Sequence, residues 1–238
     1  ADDKRSRVAR FLRLLGLEPL AKRPVWNLSG GESKKVAVAR CLVREPHILL
    51  LDEPLGMLDH NSRLDVLAML RKVHSETGMT TLHVTHDRTE AWSVGGSCAV
   101  MRSGSIIQKG SVDAVFRSPV DSFVAGFLGA GNIYPARFDN RTASLSWGAV
   151  ALADAPPFSR GALVIRPENV KISPPQLPGL RSSVVSTRDM GTYVEIVLAL
   201  PDGSEMVSCW HGGRTEAPPA GSAVSVTWPE DAPRAVRD

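Results

Sequence analysis

The heptapeptide Ile48-Leu49-Leu50-Leu51-Asp52-Glu53-Pro54 decides the fold of this chain. A near-continuous aliphatic run of this length is typical of a strand in a parallel sheet that is covered on both faces. Ligands of such sheets collect at the carboxyl ends of the strands, where Asp52 and Glu53 fall. Because neighbouring residues of a strand point to opposite sides, the two carboxylates suit two separate roles. The alternative is that both acids cap a following helix, although Pro54 and Gly56 would delay that helix.

A second informative stretch, Leu28-Ser29-Gly30-Gly31-Glu32, lies upstream of this strand. Ser29 and Glu32 have the spacing of a capping box at the start of a helix. Capping does not explain two glycines in the first turn, because each costs about 1 kcal/mol of helix propensity relative to alanine. Glycines there would let a phosphate reach the free amides and the positive end of the helix dipole. A simple cap and a phosphate-binding turn therefore both remain possible.

The first 127 residues alternate helical patterns with short apolar strands. This alternation predicts a mostly parallel sheet with helices. The periodicity predicts helices over residues 3–15, 29–43, 61–75 and 90–94, strands over 47–51 and 80–85, and a hairpin formed by 98–101 and 106–108.

The character of the chain changes after the glycine-rich residues 126–131. Short β-like segments now follow one another, separated by turn signals such as Pro201-Asp202-Gly203. This spacing predicts a small barrel or sandwich, so we expect two domains, residues 1–127 and 128–238. Predicted strands cover residues 133–138, 143–147, 162–166, 170–172, 183–188, 193–199, 205–210 and 223–228.

Bulk composition narrows the class of protein. Apolar residues make up 43% and charged residues 22% of the 238, which is ordinary for a soluble globular chain. A net charge of +3 without a basic cluster argues against nucleic acid as a partner. The aliphatic run 48–51 is far too short to cross a bilayer, and the first residues lack the apolar core of a signal peptide. Three distant cysteines indicate reduced thiols, so we expect a cytosolic, soluble chain.

The two opening stretches, followed by Leu55-Gly56-Met57-Leu58-Asp59 and then Thr85-His86-Asp87, resemble the ATP-binding subunits of ABC transporters in order and spacing. The resemblance extends back to Arg7 and forward through Gly110, and residues 112–127 look like the helical tail that follows. It implies part of an α/β P-loop NTPase-type domain.

The resemblance also implies roles for the phosphate-turn residues. Ser29, Gly30, Gly31 and Glu32 correspond to the signature motif, which binds the γ-phosphate of ATP held by the opposite subunit. Asp59 corresponds to the acid of the D-loop, and it is also placed to be the N-cap of the next helix.

Three further residues receive roles in the same way. Asp52 resembles the Walker B aspartate that holds Mg²⁺, and Glu53 resembles the general base that orients the hydrolytic water. His86 stands where the family has its switch histidine, which contacts the γ-phosphate. No Gly-x-x-x-x-Gly-Lys-Ser/Thr phosphate loop occurs in the 238 residues, so the isolated chain is expected to be inactive as an ATPase.

Residues 131–138 and 164–170 resemble the TOBE domain, a small oligonucleotide-binding-like barrel of importer ATPases. The sequence Gly131-Asn132-Ile133 favours the molybdate/tungstate group, in which such barrels can bind the oxyanion. Hydroxyls, amides and a cation are available for that purpose, or they are ordinary polar residues of a strand and turn. The candidates are Ser182, Ser183, Ser186, Thr187, Arg188, Gly191 and Thr192.

Together these features predict the ATP-binding and hydrolysing subunit of an ABC importer for an oxyanion such as molybdate or tungstate. Its cofactors would be ATP and Mg²⁺. Its partners would be a second ATPase subunit in a head-to-tail dimer, transmembrane permease subunits and, indirectly, a substrate-binding protein. It would lie peripherally at the cytoplasmic face of the cell membrane.

Three alternatives stay open at this point. The importer could serve sulfate, iron, a polyamine or a sugar. The chain could be a non-catalytic regulatory or oxyanion-sensing remnant of such a subunit. A soluble ABC ATPase of DNA repair or translation is disfavoured, because a barrel replaces the coiled coil and no basic surface is apparent.

Overall fold

The computed structural model describes residues 2–238, without the side chains of Asp2, Asp3 and Arg214. It divides by compactness into two units, Ala1–Gly96 and Ser97–Asp238, which are described separately. The boundary predicted between residues 127 and 128 rests on a change of sequence character, whereas the compact units are divided between residues 96 and 97. The predicted boundary stays a prediction. Among residues 2–238, no helix has both the length and the apolar character needed to cross a membrane.

The first unit alternates helices and strands as predicted. The predicted ends agree with the structure to within two residues, and glycines of positive φ follow three of the helices, α4 with Gly95 among them. Gly16 and Gly78 both adopt positive φ just after a helix, a conformation that glycine reaches without strain. The elements are α1 Asp2–Leu14, α2 Gly30–Leu42, β1 Ile48–Asp52, α3 His60–Thr77, β2 Thr80–Val84 and α4 Arg88–Val94.

Strands β1 and β2 form a two-stranded parallel sheet in which Leu50 lies beside Leu82. Leu49 and Leu51 face the core, where they join the buried residues of α3. The opposite face is exposed: Ile48, Leu50, Leu82 and Val84 keep 52% to 70% of their surface. The expectation that β1 is covered on both faces is therefore wrong for residues 2–238, because the helices of this unit cover one face.

The second unit begins with a hairpin and a helical tail. Strands β3 Ser97–Arg102 and β4 Ser105–Ser111 are joined by Ser103 and Gly104, both at positive φ, as a two-residue hairpin turn requires. Two short helices follow, α5 Val112–Arg117 and α6 Ser122–Phe127. The predicted hairpin and tail are confirmed.

The rest of the second unit is all β, as predicted. Two five-stranded antiparallel sheets, ordered β12-β11-β10-β13-β9 and β14-β8-β5-β6-β7, enclose one apolar core. All eight predicted segments contain a strand, and two strands, β7 and β14, were not predicted. The strands are β5 Asn132–Asp139, β6 Thr142–Leu145, β7 Gly148–Ala151, β8 Arg160–Ile165, β9 Lys171–Ser173, β10 Leu180–Asp189, β11 Val194–Ala199, β12 Glu205–Trp210, β13 Ala223–Thr227 and β14 Arg234–Val236.

Candidate functional site

The phosphate turn at the start of α2 is built on a complete capping box. The Glu32 amide donates to Ser29 Oγ at 3.2 Å, and the Ser29 amide donates to Glu32 Oε2 at 2.8 Å. The second of these bonds, with smaller contributions from the Ser29 side chain and Arg23, lowers the pKa of Glu32. The side chains of Ser29 and Glu32 therefore stabilise the turn itself, which leaves the first helical amides as the groups that could bind a phosphate.

The two glycines of the turn have different surroundings. Gly31 is buried against α3, and a Cβ there would lie 3.1 Å from both Cβ and Oγ of Ser62. Gly30 is exposed, and a Cβ there would meet Leu58 Cδ2 at 3.5 Å, an ordinary contact. Packing within the chain thus explains Gly31 but not Gly30, which is the glycine that favours a phosphate close to the backbone.

Asp52 and Glu53 are both exposed at the carboxyl end of β1, but the pleat does not separate them. Asp52 is the last residue of the strand, on the same face as Leu50. Glu53 leaves the strand with φ +40°, while its amide still donates to the Val84 carbonyl at 3.0 Å. A non-glycine residue in this conformation is strained by about 1–3 kcal/mol, and such strain is frequent at functional sites.

Glu53 and His86, which are 33 residues apart, contact each other. His86 Nδ1 lies 2.9 Å from Glu53 Oε1. An ionised carboxylate only accepts, so Nδ1 carries the proton of this hydrogen bond. The bond, and then the negative charge of Glu53, raise the pKa of His86 above its ordinary value. The two side chains that sequence assigned to water activation and γ-phosphate contact are thereby brought into one site.

Asp59 is the N-cap of α3. Its Oδ1 accepts from the Ser62 amide at 3.1 Å, and hydrogen bonds from the side chain and amide of Ser62 lower the pKa of Asp59. This is the capping role that sequence allowed for Asp59. A D-loop role is compatible with it, since the residue is exposed.

An ion pair and a buried hydrogen-bonded pair near His86 were missed by sequence reasoning. Arg63 Nη1 of α3 donates to Asp87 Oδ2 at 2.8 Å. His83 Nε2 lies 3.2 Å from Glu90 Oε2, and both side chains are nearly buried. Asp87 itself had a sequence signal, because an acid followed three residues later by Glu90 is typical of a helix N-terminus. Arg63 and His83 had no sequence signal, because each of them pairs with a residue of a different element.

Asp87 is ionised despite its partial burial. Desolvation opposes its charge, but hydrogen bonds from the Thr89 and Glu90 amides and the charge of Arg63 outweigh it and lower the pKa of Asp87. The residue after His86 is therefore a fixed anion.

Asp52 fits a magnesium ion that is bound mainly through other ligands. Within residues 2–238 no three His, Cys, Asp or Glu side chains converge as a metal site would require. Mg²⁺ is commonly held by one or two carboxylates together with waters and substrate phosphates. An exposed carboxylate at a strand end suits that mode of binding.

The structure does not bring the oxyanion candidates together. They follow one another along β10 and the turn after it, with the Ser182 hydroxyl buried and Ser183 exposed. Beyond the register shift between Val184 and Ser186, the strand is exposed to its end. A cavity of 310 Å³ in this unit is lined by residues 147–149, 179–180 and 226–228, which include none of the candidates.

Two residues of the TOBE-like stretches, Asn132 and Arg166, have structural roles. Asn132 is 1% exposed and bonds the backbone of Val207 twice: its Nδ2 donates to the carbonyl at 2.8 Å, and its Oδ1 accepts from the amide at 2.7 Å. It therefore connects the two sheets. Arg166 donates to the Phe116 carbonyl at 2.6 Å and stacks over the Phe116 ring at 3.6 Å, which ties α5 to the β structure.

Comparison with protein families assigns both parts of the chain. Residues 2–56 match the ABC transporter family, and residues 163–236 match the TOBE domain family. The chain combines part of an ABC ATPase domain with a TOBE domain. The ABC segment carries the phosphate turn, Asp52 and Glu53, and the matched part of the TOBE domain carries β8 to β14 except the first residues of β8.

Curated relatives carry the same two parts. The Fe(3+) ions import ATP-binding protein FbpC of Streptomyces avermitilis is 38% identical over 226 residues, which are 95% of this chain and 65% of the relative. The spermidine/putrescine import ATP-binding protein PotA of Ruegeria pomeroyi is 35% identical over 98% of this chain and 66% of the relative. The sulfate/thiosulfate import ATP-binding protein CysA of Bradyrhizobium diazoefficiens is 38% identical over 84% and 58%. The chain thus spans somewhat less than two thirds of each of these relatives.

Among solved structures, cbiO1 from Clostridium perfringens, described as part of the ABC transporter complex cbiONQ, is 35% identical. The match covers 47% of this chain and 45% of cbiO1, with a TM-score of 0.45.

Proposed function

We propose that this chain is part of the ATP-binding subunit of an ABC importer and that its site hydrolyses ATP to energise uptake. The observation that carries the proposal is the contact between Glu53 and His86 at the carboxyl end of β1. In this proposal the subunit pairs head to tail with a second copy, and it acts with transmembrane permease subunits and, indirectly, a substrate-binding protein. It lies at the cytoplasmic face of the membrane.

The chemistry follows from what each residue can do. Glu53 accepts a proton from the attacking water, and its carboxylate accepts a hydrogen bond from His86. With its second nitrogen, His86 contacts the γ-phosphate. Asp52 would hold Mg²⁺ through water, and a bound ion would supply positive charge against the charge that develops on the phosphates. The amides of Gly30 and Gly31 bind the γ-phosphate of the nucleotide on the opposite subunit.

The chain alone is expected to hydrolyse ATP at a negligible rate, because its 238 residues contain no phosphate-loop sequence to hold the β- and γ-phosphates. Phosphate release by the purified chain in Mg·ATP measures this. A rate typical of enzymes, about 1 s⁻¹ or more, that is abolished by Glu53→Gln would contradict the expectation.

Ferric ion is the solute that the relatives support best, ahead of polyamine and sulfate. FbpC proteins from two Streptomyces species match at 38% identity over 94% to 95% of this chain. The residues that favoured molybdate or tungstate do not support that solute. Asn132 connects the two sheets, and the hydroxyls of β10 do not converge on one point.

Uptake by cells tests the proposal. Glu53→Gln is introduced into the gene that carries this sequence, and uptake of ferric ion, spermidine, sulfate and molybdate is followed with labelled solutes. Glu230→Gln, an exposed glutamate in the second unit, is the matched control for loss of one charge. Glu53→Gln should abolish ferric uptake at unchanged protein level, while Glu230→Gln leaves it intact.

Each other outcome has a defined meaning. Loss of spermidine, sulfate or molybdate uptake in place of ferric uptake would overturn the solute and keep the importer. Unchanged uptake of all four solutes would overturn the catalytic role of Glu53 and favour the non-catalytic regulatory alternative.

A further inference from the structure

The contact between His86 and Glu53 is not held in place by packing. His86 is 74% exposed and Glu53 is 55% exposed in their side chains. Exposed side chains sample several rotamers, so a single hydrogen bond between them is a weak constraint. Their orientation must therefore come from the backbone segments that carry them.

Asp87, the residue after His86, fixes the backbone of this turn through hydrogen bonds to residues on both sides of His86 and to α3. The Asp87 amide donates to Thr85 Oγ1 at 3.0 Å. Asp87 Oδ1 accepts from the Thr89 amide at 2.7 Å and so caps α4. The remaining oxygen, Oδ2, accepts from Arg63 at 2.8 Å. The first two bonds are local to the turn, whereas the third ties the turn to a different helix.

Arg63 is placed to act as that tie. It lies in the first turn of α3, where its amide donates to the Asp59 carbonyl at 2.9 Å. Its side chain is 35% exposed and that of Asp87 is 25% exposed, so water screens this pair less than a surface pair. Its Nε is buried without a hydrogen-bond partner among the described residues, which lowers stability. Departures of this kind from full hydrogen bonding are expected at functional sites.

We propose that Arg63 and Asp87 are positioning residues, whose ion pair holds His86 against Glu53. The pair joins the start of α3, which Asp59 caps, to the turn between β2 and α4, which carries His86. The importance of this contact for catalysis rests on the proposed function, but the positioning itself does not. Neither residue is expected to touch ATP.

The test uses the whole chain and the imidazole nitrogen signals of His86, measured by NMR at one fixed pH. The Nδ1 resonance reports the hydrogen bond to Glu53, and Glu53→Gln defines its position when that carboxylate is removed. Arg63→Met should move the resonance at least half of the way to that position, with the fold retained. Arg63→Lys, which keeps the charge, should restore most of the wild-type position.

Two comparisons separate positioning from a general effect. Lys35→Met removes another ion pair of α3, between Lys35 and Asp65 at 3.8 Å, together with the same charge. It should leave the His86 resonance where it is in the wild type. Asp87→Asn keeps a good helix cap but removes the ion pair, so it should act like Arg63→Met.

A wild-type resonance in folded Arg63→Met, or an equal shift in Lys35→Met, would overturn the proposal. If Arg63→Met does not fold, Asp87→Asn is judged by the same criterion. The measurement needs no nucleotide. Unchanged uptake in Glu53→Gln cells together with a displaced His86 in Arg63→Met would therefore refute the proposed function and retain the positioning role.

Discussion

Replacing Gly31 by alanine should destabilise the first unit, although alanine is the better helix former. The added Cβ would lie 3.1 Å from both Cβ and Oγ of Ser62. Overpacking of this kind costs about 1–3 kcal/mol. The gain in helix propensity returns at most about 1 kcal/mol. The expected net loss is about 1 kcal/mol, or about 4–8 °C in melting temperature for a unit of fewer than 100 residues.

The neighbouring glycine is the matched control. A Cβ at Gly30 meets only Leu58 Cδ2, at 3.5 Å, so Gly30→Ala should raise the free energy of unfolding by up to about 1 kcal/mol. The helical circular dichroism signal, followed on heating, measures both variants. Ser62→Gly removes the obstructing atoms, so the Gly31→Ala/Ser62→Gly double variant should recover the overpacking loss of about 1–3 kcal/mol as a coupling energy. Equal melting temperatures for Gly30→Ala and Gly31→Ala would refute the packing argument.

Two further predictions concern single side chains. Asn132→Ala removes both bonds to Val207 and leaves a buried amide unpaired, so it should lower the free energy of unfolding by about 2–4 kcal/mol. Urea denaturation of the chain measures this change. An effect below about 1 kcal/mol would show that the sheets do not depend on Asn132. His86 should titrate by NMR above its ordinary pKa of 6.5, because Glu53 stabilises the protonated ring. The bond then contributes stability fully below pH 6.5 and loses it as the pH rises through the folded pKa. Glu53→Gln should lower the pKa of His86 toward the ordinary value, because Glu53 is the largest cause of the shift and the charges of Glu90 and Asp87 raise the pKa less. An unchanged pKa in that variant would place the cause elsewhere.

Local pattern predicted the elements of the first unit well, because their signals lie inside each element. The periodicity of α3 and the glycine at its end are examples: Gly78 adopts φ +61° as a helix stop. The aliphatic residues of β1 led to a wrong prediction of burial on both faces for the same reason. Sequence shows that Leu50 is apolar, but its exposure depends on which elements pack over the sheet.

The strands that escaped prediction are defined by distant partners. β14 has three residues and pairs with β8, which lies far upstream. β7 consists of Gly, Ala and Val and lacks the bulky β-branched pattern that marks a strand. Neither sequence contains enough local information to be distinguished from a loop.

The candidate site likewise contains residues that local spacing predicted and contacts between distant elements that it did not predict. Sequence placed Ser29 and Asp59 at helix starts, because capping depends on residues three positions apart. Family resemblance gave Glu53 and His86 their separate roles, but the contact between them was not predicted. The bond from Arg63 to Asp87 and the contact of Gly31 with Ser62 had no sequence signal, because each depends on how two helices pack.

The stacking of Arg166 on Phe116 decides how the β structure can be cut out of the chain. A fragment starting at residue 128 would lose Phe116, whose ring and carbonyl hold the Arg166 guanidinium. It would also lose α6, whose Ala125 lies in a small core with Ala162 and Val236. A truncation at Ser97 keeps these contacts and the hairpin. Ligand titrations of the TOBE domain are therefore best made on residues 97–238.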